Sequence, residues 1–251
     1  MSDDRVVYLD LDGTLFGRGG SLLHDGDGAF TDAGVRALRL LDAAGVPVVL
    51  VSGRSRSRLE STAQVLGVEG FLAEMGACDC GYPTQPGQSV HQAIAATGIV
   101  DELLAREPRL EPHRAARWAR DGSHIFQGRV ADDAADWVRT RSGGALRLAD
   151  NGRIGPDTHV FHLLPAGASK AAAVATDLAR RGIDGSACLA VGDSAEDLAM
   201  GGRLGFVALV RNGADADPRL AARAPWVTRG RHGAGVLEAV EAWLSGSAPG
   251  R

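Results

Sequence analysis

The chain's 251 residues, 45% hydrophobic and 23% charged, suit one large globular domain or a domain with a sizeable insertion, and they argue against a disulfide-dependent mini-protein, extended disorder or collagen-like repetition. Twenty-seven basic and 31 acidic side chains leave a formal charge of -4, which offers no global reason to bind nucleic acid or an anionic membrane, so any bound anion has to be held locally. Three cysteines leave one over after any single bridge, and Cys78 and Cys80 are too close for an ordinary zinc pair; reduced thiols in a cytoplasm are expected, and no apolar run approaches the ~18 residues that span a bilayer.

Val6 to Leu9 form a β-branched and aromatic run ending at Asp10, and Val46 with Val48 to Val51 form another ending at Ser52; both read as buried strands. Between them Thr31 can cap a helix carrying Val35, Leu38 and Leu41 at helical spacing before Gly45 stops it, completing a strand-helix-strand unit. The pattern returns later, with a helix from Lys170 to Arg181, a strand from Cys188 to Val191, a short helix from Ser194 and a strand from Val207 to Val210. Strands alternating with helices imply a parallel sheet covered on both faces, an α/β arrangement.

The middle third differs. A helical pattern from His91 to Glu107 precedes Pro108; Arg114 to Ala119 and His124 to Gly128 read as strands paired about Asp121-Gly122; Asp132 to Arg141 reads as helix; Ala145 to Leu148 and Thr158 to Leu163 read as strands about Asn151-Gly152. This is a helix and two strands written twice, so residues 84–165 are expected to form an inserted α+β domain between the core segments 1–83 and 166–251.

Ligands of an open parallel sheet sit beyond the carboxyl ends of its strands. The polar groups there are Asp10-Leu11-Asp12-Gly13-Thr14, Ser52-Gly53-Arg54, Gly192-Asp193-Ser194 with Asp197 one turn on, and Lys170, the only lysine in the chain. Bringing Asp10, Asp12 and Asp193 together is unfavourable unless a lysine or a divalent cation compensates them, and a few hard carboxylates that leave room for water and a phosphate oxygen suit Mg²⁺. A calcium loop starting at Asp10 fails because Ser21 stands where the bidentate glutamate is needed, and Asp25-Gly26-Asp27-Gly28 reads as a solvated loop. A dinucleotide-binding Rossmann enzyme is disfavoured because carboxylates, not a glycine fingerprint, follow the first strand.

These four motifs, in this order and at these strand ends, resemble the haloacid dehalogenase-like phosphohydrolases, and the insertion resembles their C2-type cap, in outline like the caps of sucrose-, trehalose- and mannosylglycerate-forming phosphatases and of phosphomannomutases. The resemblance implies a Rossmann-like parallel-sheet core and a Mg²⁺-dependent phosphatase acting on a small phosphorylated molecule, a sugar phosphate or phosphorylated sugar acid being favoured. It implies that Asp10 is the nucleophile and forms an aspartyl phosphate, and that Asp12 shuttles the proton. Asp10, the Asp12 carbonyl and Asp193 would hold Mg²⁺, while Ser52, Gly53 and Lys170 would bind phosphate and Asp197 would support Lys170 or a metal-bound water. A phosphomutase of the phosphomannomutase type and a non-catalytic phospho-ligand sensor are the rival readings.

Two departures from the family pattern stand out: Glu196 where cap-bearing relatives often have Asn, read as facing solvent, and Met75 replacing an amide in Glu74-Met75-Gly76-Ala77. In the cap, Arg114, Arg117 and Arg120, with His113 and His124, are candidates for a cationic roof over an anionic substrate, and Trp118 reads as packing or as a sugar-stacking surface.

Overall fold

The computed structural model describes residues 4–250. They fall into two compact units, one of residues 4–52, 60–72 and 174–250, the other of residues 53–59 and 73–173.

The first unit is built on five parallel strands: β1 (Val7–Leu9), β2 (Val48–Val51), β3 (Gly70–Leu72), β8 (Leu189–Gly192) and β9 (Phe206–Leu209), in the order β3-β2-β1-β8-β9. Because β1 is central and the chain later returns to its other side with β8, the carboxyl ends of β1 and β8 flank the topological switch point, where such sheets bind ligands. The strands are apolar on both faces, as burial between two helical layers requires. Val6, Tyr8, Val49, Val51 and Ala190 pack with Val174 and Leu178 of α6 (Lys170–Arg181) and Met200 of α7 (Ala195–Met200). On the sheet's other side α10 (His232–Leu244) packs on β8 and on α1 (Ala33–Ala43). The helix α1 starts one residue beyond Asp32, with the Thr31 hydroxyl accepting from Ala33 N at 3.2 Å. The remaining helices of this unit, α8 (Arg211–Ala216) and α9 (Pro218–Arg223), follow β9, and α2 (Arg56–Leu66) begins in the second unit and ends in the first.

The second unit is an antiparallel sheet in the order β4-β5-β7-β6, comprising β4 (Leu110–Pro112), β5 (His124–Gly128), β6 (Leu146–Gly155) and β7 (Thr158–Pro165). One face of that sheet carries Phe126, Leu148, Phe161 and Leu163 against α3 (Val90–Ala96), α4 (Ile99–Arg106) and α5 (Ala134–Arg141), through Ile94, Ile99, Leu103 and Val138.

Three expectations for this unit change. The single helix over 91–107 is two, because Gly98 takes a left-handed conformation (φ 75°) between them. The strand expected over 114–119 is a 3-10 turn, Arg114–Arg117, capped by the His113 Nδ1 accepting from Ala115 N at 3.0 Å; the partner of β5 is β4, which pairs Leu110 with Gly128. The expected hairpin turn at Asn151-Gly152 lies inside β6, where a register shift between Asp150 and Arg153 absorbs it and the Asp150 carboxylate accepts from Gly152 N at 2.8 Å, so the strand continues to Gly155.

Candidate active site

At the end of β1, Asp10 N still donates to Val191 O (3.1 Å), which fixes the residue beside β8 before the chain turns. The turn is closed by Thr14 N and Phe16 N donating to Leu11 O, and it buries Leu11 and Leu15 completely while leaving Asp10 4% exposed and Asp12 exposed. Gly13 has φ 88°, and a Cβ there would collide with the Asp193 carboxylate, so this position needs glycine both for its conformation and for that approach. The turn thus presents two carboxylates differently, Asp10 inward and Asp12 outward. Thr14 is buried, and its hydroxyl lacks a hydrogen-bond partner among the described residues.

Two residues that the sequence reading does not find hold this turn. Gly13 O accepts from Asn212 Nδ2 at 2.7 Å and from His232 Nδ1 at 3.0 Å, and Asn212 Oδ1 in turn accepts from His232 N at 2.9 Å. Donation to a carbonyl fixes the His232 proton on Nδ1, and burial lowers its pKa from the ordinary histidine value. Its Nε2 faces the Asp25–Gly28 loop, 2.5 Å from where a Cβ on Gly26 would stand. That loop is ordered by Asp25 Oδ1, which accepts from Asp27 N (3.0 Å) and Ala29 N (2.9 Å) and holds the carboxyl below its usual pKa.

At the end of β8, Ser194 caps α7, and Asp197 Oδ2 accepts from Asp193 N (3.2 Å), Ser194 N (3.0 Å) and Ser194 Oγ (2.6 Å). Asp197 is 1% exposed and so shapes the backbone that carries Asp193. The outcome is that Asp10, Asp193 and Asp197 each bring a carboxylate oxygen within 4.8 Å of the others. Three such oxygens form a hard donor set that fits a divalent cation, and their mutual repulsion is relieved by one. Glu196, expected to face solvent, is half-buried.

The other sequence-derived residues are placed as follows. Ser52 follows β2 in the same unit, 2% exposed, with its N–H donating to Leu72 O at 3.1 Å. Gly53 and Lys170 belong to the second unit, where Lys170 opens α6 and is 2% exposed. Arg114 and Arg117 are exposed, and Arg58 and Arg117 both lie over the half-exposed Trp118 ring.

Arg120 is a correction to the expected roof of arginines. Its side chain is buried, and its Nε and Nη2 donate internally, to Ser123 O, Ser123 Oγ and Gly53 O (2.9 Å), with Glu74 Oε2 3.2 Å from Nη2. Glu74, fully buried, also accepts from Asp121 N, Gly122 N, Ser123 N and Ser123 Oγ. Those bonds explain why Asp121-Gly122 makes no hairpin. His124 is likewise internal: it stacks on His91 at 3.7 Å, and burial lowers its pKa to about 4. The three cysteines are free, and burial raises the Cys78 thiol to about 12, so it stays a thiol.

A family profile described as haloacid dehalogenase-like hydrolase matches residues 148–240. The chain is similar to a phosphoglycolate phosphatase of Methanoculleus marisnigri, 30% identical over 234 residues that cover 88% of this chain and 95% of the relative. It is also similar to a phosphoglycolate phosphatase of Aeropyrum pernix, 28% identical over 97% of this chain and 95% of the relative. Among solved structures it resembles Thermoplasma acidophilum 0175 (TM-score 0.69, 20% identity, 96% of this chain and 98% of that one). A second resemblance is to the sucrose-phosphatase of Synechocystis sp. PCC6803 in complex with sucrose and phosphate (TM-score 0.66, 18% identity, 96% and 98%). No helix among the described residues is long and apolar enough to cross a membrane.

Proposed function

The chain belongs to the haloacid dehalogenase-like hydrolases and is a phosphatase, and from that premise we propose that it is a Mg²⁺-dependent phosphomonoesterase working through an aspartyl phosphate on Asp10. The observation that carries this reading is the gathering of Asp10, Asp193 and Asp197 within 4.8 Å at the switch point of the parallel sheet.

Asp10, inward-facing and fixed beside β8, attacks phosphorus and accepts the phosphoryl group, which splits one difficult hydrolysis into two displacements. Asp12, two residues on and exposed, protonates the departing alkoxide and then takes a proton from the attacking water. Asp10, the Asp12 carbonyl and Asp193 would hold Mg²⁺, which supplies charge neutralisation between nucleophile and phosphate. Asp197 acts as a positioning residue through its bonds to Asp193 N and Ser194. Asn212 and His232 keep the Asp10–Thr14 turn in shape through Gly13 O. Ser52, Gly53 and Lys170 bind the phosphoryl oxygens, the lysine as a compact point charge.

The substrate proposed is a small phosphorylated hydroxy acid. The two curated relatives described above are named phosphoglycolate phosphatases, which favours that acid over the sugar phosphates and sugar acids that the cap outline suggests. Residues 84–165 are assigned as the cap, within the larger unit of residues 53–59 and 73–173, and a cytoplasmic location accords with the unbridged cysteines. The test is a Mg²⁺-supplemented phosphate-release panel of phosphoglycolate, sugar phosphates, phosphorylated sugar acids and nucleotides. The highest kcat/KM is expected for phosphoglycolate; equal rates across the panel would remove the substrate assignment, and phosphate returned to a sugar rather than to water would favour the phosphomutase.

A further inference from the structure

The Arg114–Arg117 turn of the second unit gathers positive charge on one side. A 3-10 turn has about three residues per turn, so the side chains of Arg114 and Arg117 leave it in the same direction. Both residues are exposed, and among the described residues neither forms an ion pair with a carboxylate. Arg58, of the same unit, joins them at Trp118: the guanidinium carbons of Arg58 and Arg117 lie 5.6 and 5.5 Å from the centre of the indole, which is 45% exposed. Stacking on an indole restrains a guanidinium and leaves its N–H edge open to a further partner.

His113 adds a neutral donor to this group. Its Nδ1 accepts from Ala115 N, so the neutral ring carries its proton on Nε2, for which there is no acceptor among the described residues. Burial lowers the pKa of this ring, and the charges that act on it are all positive, those of Arg114, Arg120 and Arg58. A second cation over an indole in this unit shows the contrast. Arg106 lies 5.4 Å from the centre of the Trp137 ring, but it donates to Asp133 at 2.6 and 2.7 Å and to Glu107 at 3.1 Å, so its charge is met within the protein. Around Trp118 the repulsion between like charges is relieved only by an anion from outside.

We infer that Arg58, Arg114 and Arg117, held around Trp118, form with His113 Nε2 a binding site for a small oxyanion on the second unit. Forked guanidinium donors match the paired acceptor oxygens of a carboxylate or a phosphate group, which share the chemistry this site selects. The charge repels a metal cation, and guanidinia already lie over the indole that a flat ligand would need. The site uses residues of the second unit alone, so it stands whether or not Asp10 is the nucleophile.

The experiment follows the ¹⁵N–¹H resonance of the Trp118 indole in the whole chain, assigned by its loss in Trp118→Phe. The protein is titrated in separate arms with sodium phosphate and sodium glycolate, at an ionic strength held constant with sodium chloride. The resonance is expected to move saturably, and the arm with the lower Kd identifies the preferred oxyanion. In Arg114→Gln and Arg117→Gln the affinity is expected to fall at least about tenfold, the worth of one charged hydrogen bond. The indole resonances of Trp137, Trp226 and Trp243 should stay in place in those variants, as expected for exposed positions whose loss leaves the fold intact. No saturable movement in either arm, movement that chloride alone reproduces, or equal affinity in the wild type and both variants would each overturn the site.

Discussion

Glu74 and Asp193 are carboxylates in different units and in different company. Glu74 is fully buried and enclosed by donors: Arg120, three backbone N–H groups and a serine hydroxyl. Asp193 stands within 4.8 Å of two further carboxylates, Asp10 and Asp197, against a glycine whose missing side chain lets the Asp10–Thr14 turn approach it. The first arrangement is complete within the protein and holds residues 74 and 120–123 together as a strut. The second gathers like charges, which a fold tolerates where it handles a cation and an anionic ligand. Burial alone therefore does not mark a candidate catalytic carboxylate; the identity of its neighbours does.

The comparison breaks most visibly at Asp10. Asp10→Asn keeps the shape and removes the proposed nucleophile, so phosphate release is expected to fall on the order of 10⁴-fold or more with the melting temperature little changed. Activity within tenfold of wild type in a phosphate-release assay would move Asp10 out of that role. Glu74→Ala is the opposite case. It leaves Arg120 buried without its counter-charge and several N–H groups without an acceptor, and a loss of about 3–5 kcal/mol in urea unfolding is expected, the usual cost of breaking a buried pair. A loss below about 1 kcal/mol would mean that the strut is dispensable.

A smaller effect sharpens the account of the second unit. His124 has its pKa lowered to about 4 from 6.5, so between those values the unfolded chain takes up the proton first and stability falls as pH falls. A decline of about 3 kcal/mol from pH 7 to pH 4, beyond that of a His124→Phe control, is expected in denaturant titrations; parallel profiles for the two proteins would contradict it.

The sequence makes the carboxylates proposed as catalytic legible because each follows an apolar run that reads as a buried parallel strand, and strand ends meet at the switch point. The helix over Lys170–Arg181 and the strands around Asp10 and Asp193 are likewise found within a residue or so. Residues whose roles come from contacts far along the chain are not legible. Nothing near Asn212 or His232 announces Gly13, about 200 positions away. Arg120 reads as a surface cation until Glu74, 46 positions earlier, is seen to enclose it. The Asn151-Gly152 signal is real as local chemistry, yet the pairing of β6 with β7 absorbs it as a bulge.

The central claim is that Asp10 and Asp193, with Asp197 positioning the second, work because a divalent cation joins them. The direct measurement is phosphate release by protein stripped with EDTA and titrated with Mg²⁺, run beside Asp193→Asn. The account predicts no turnover before metal is added, saturable recovery in the wild type and a Mg²⁺ requirement raised at least about tenfold in Asp193→Asn. Full activity in the presence of EDTA would contradict it.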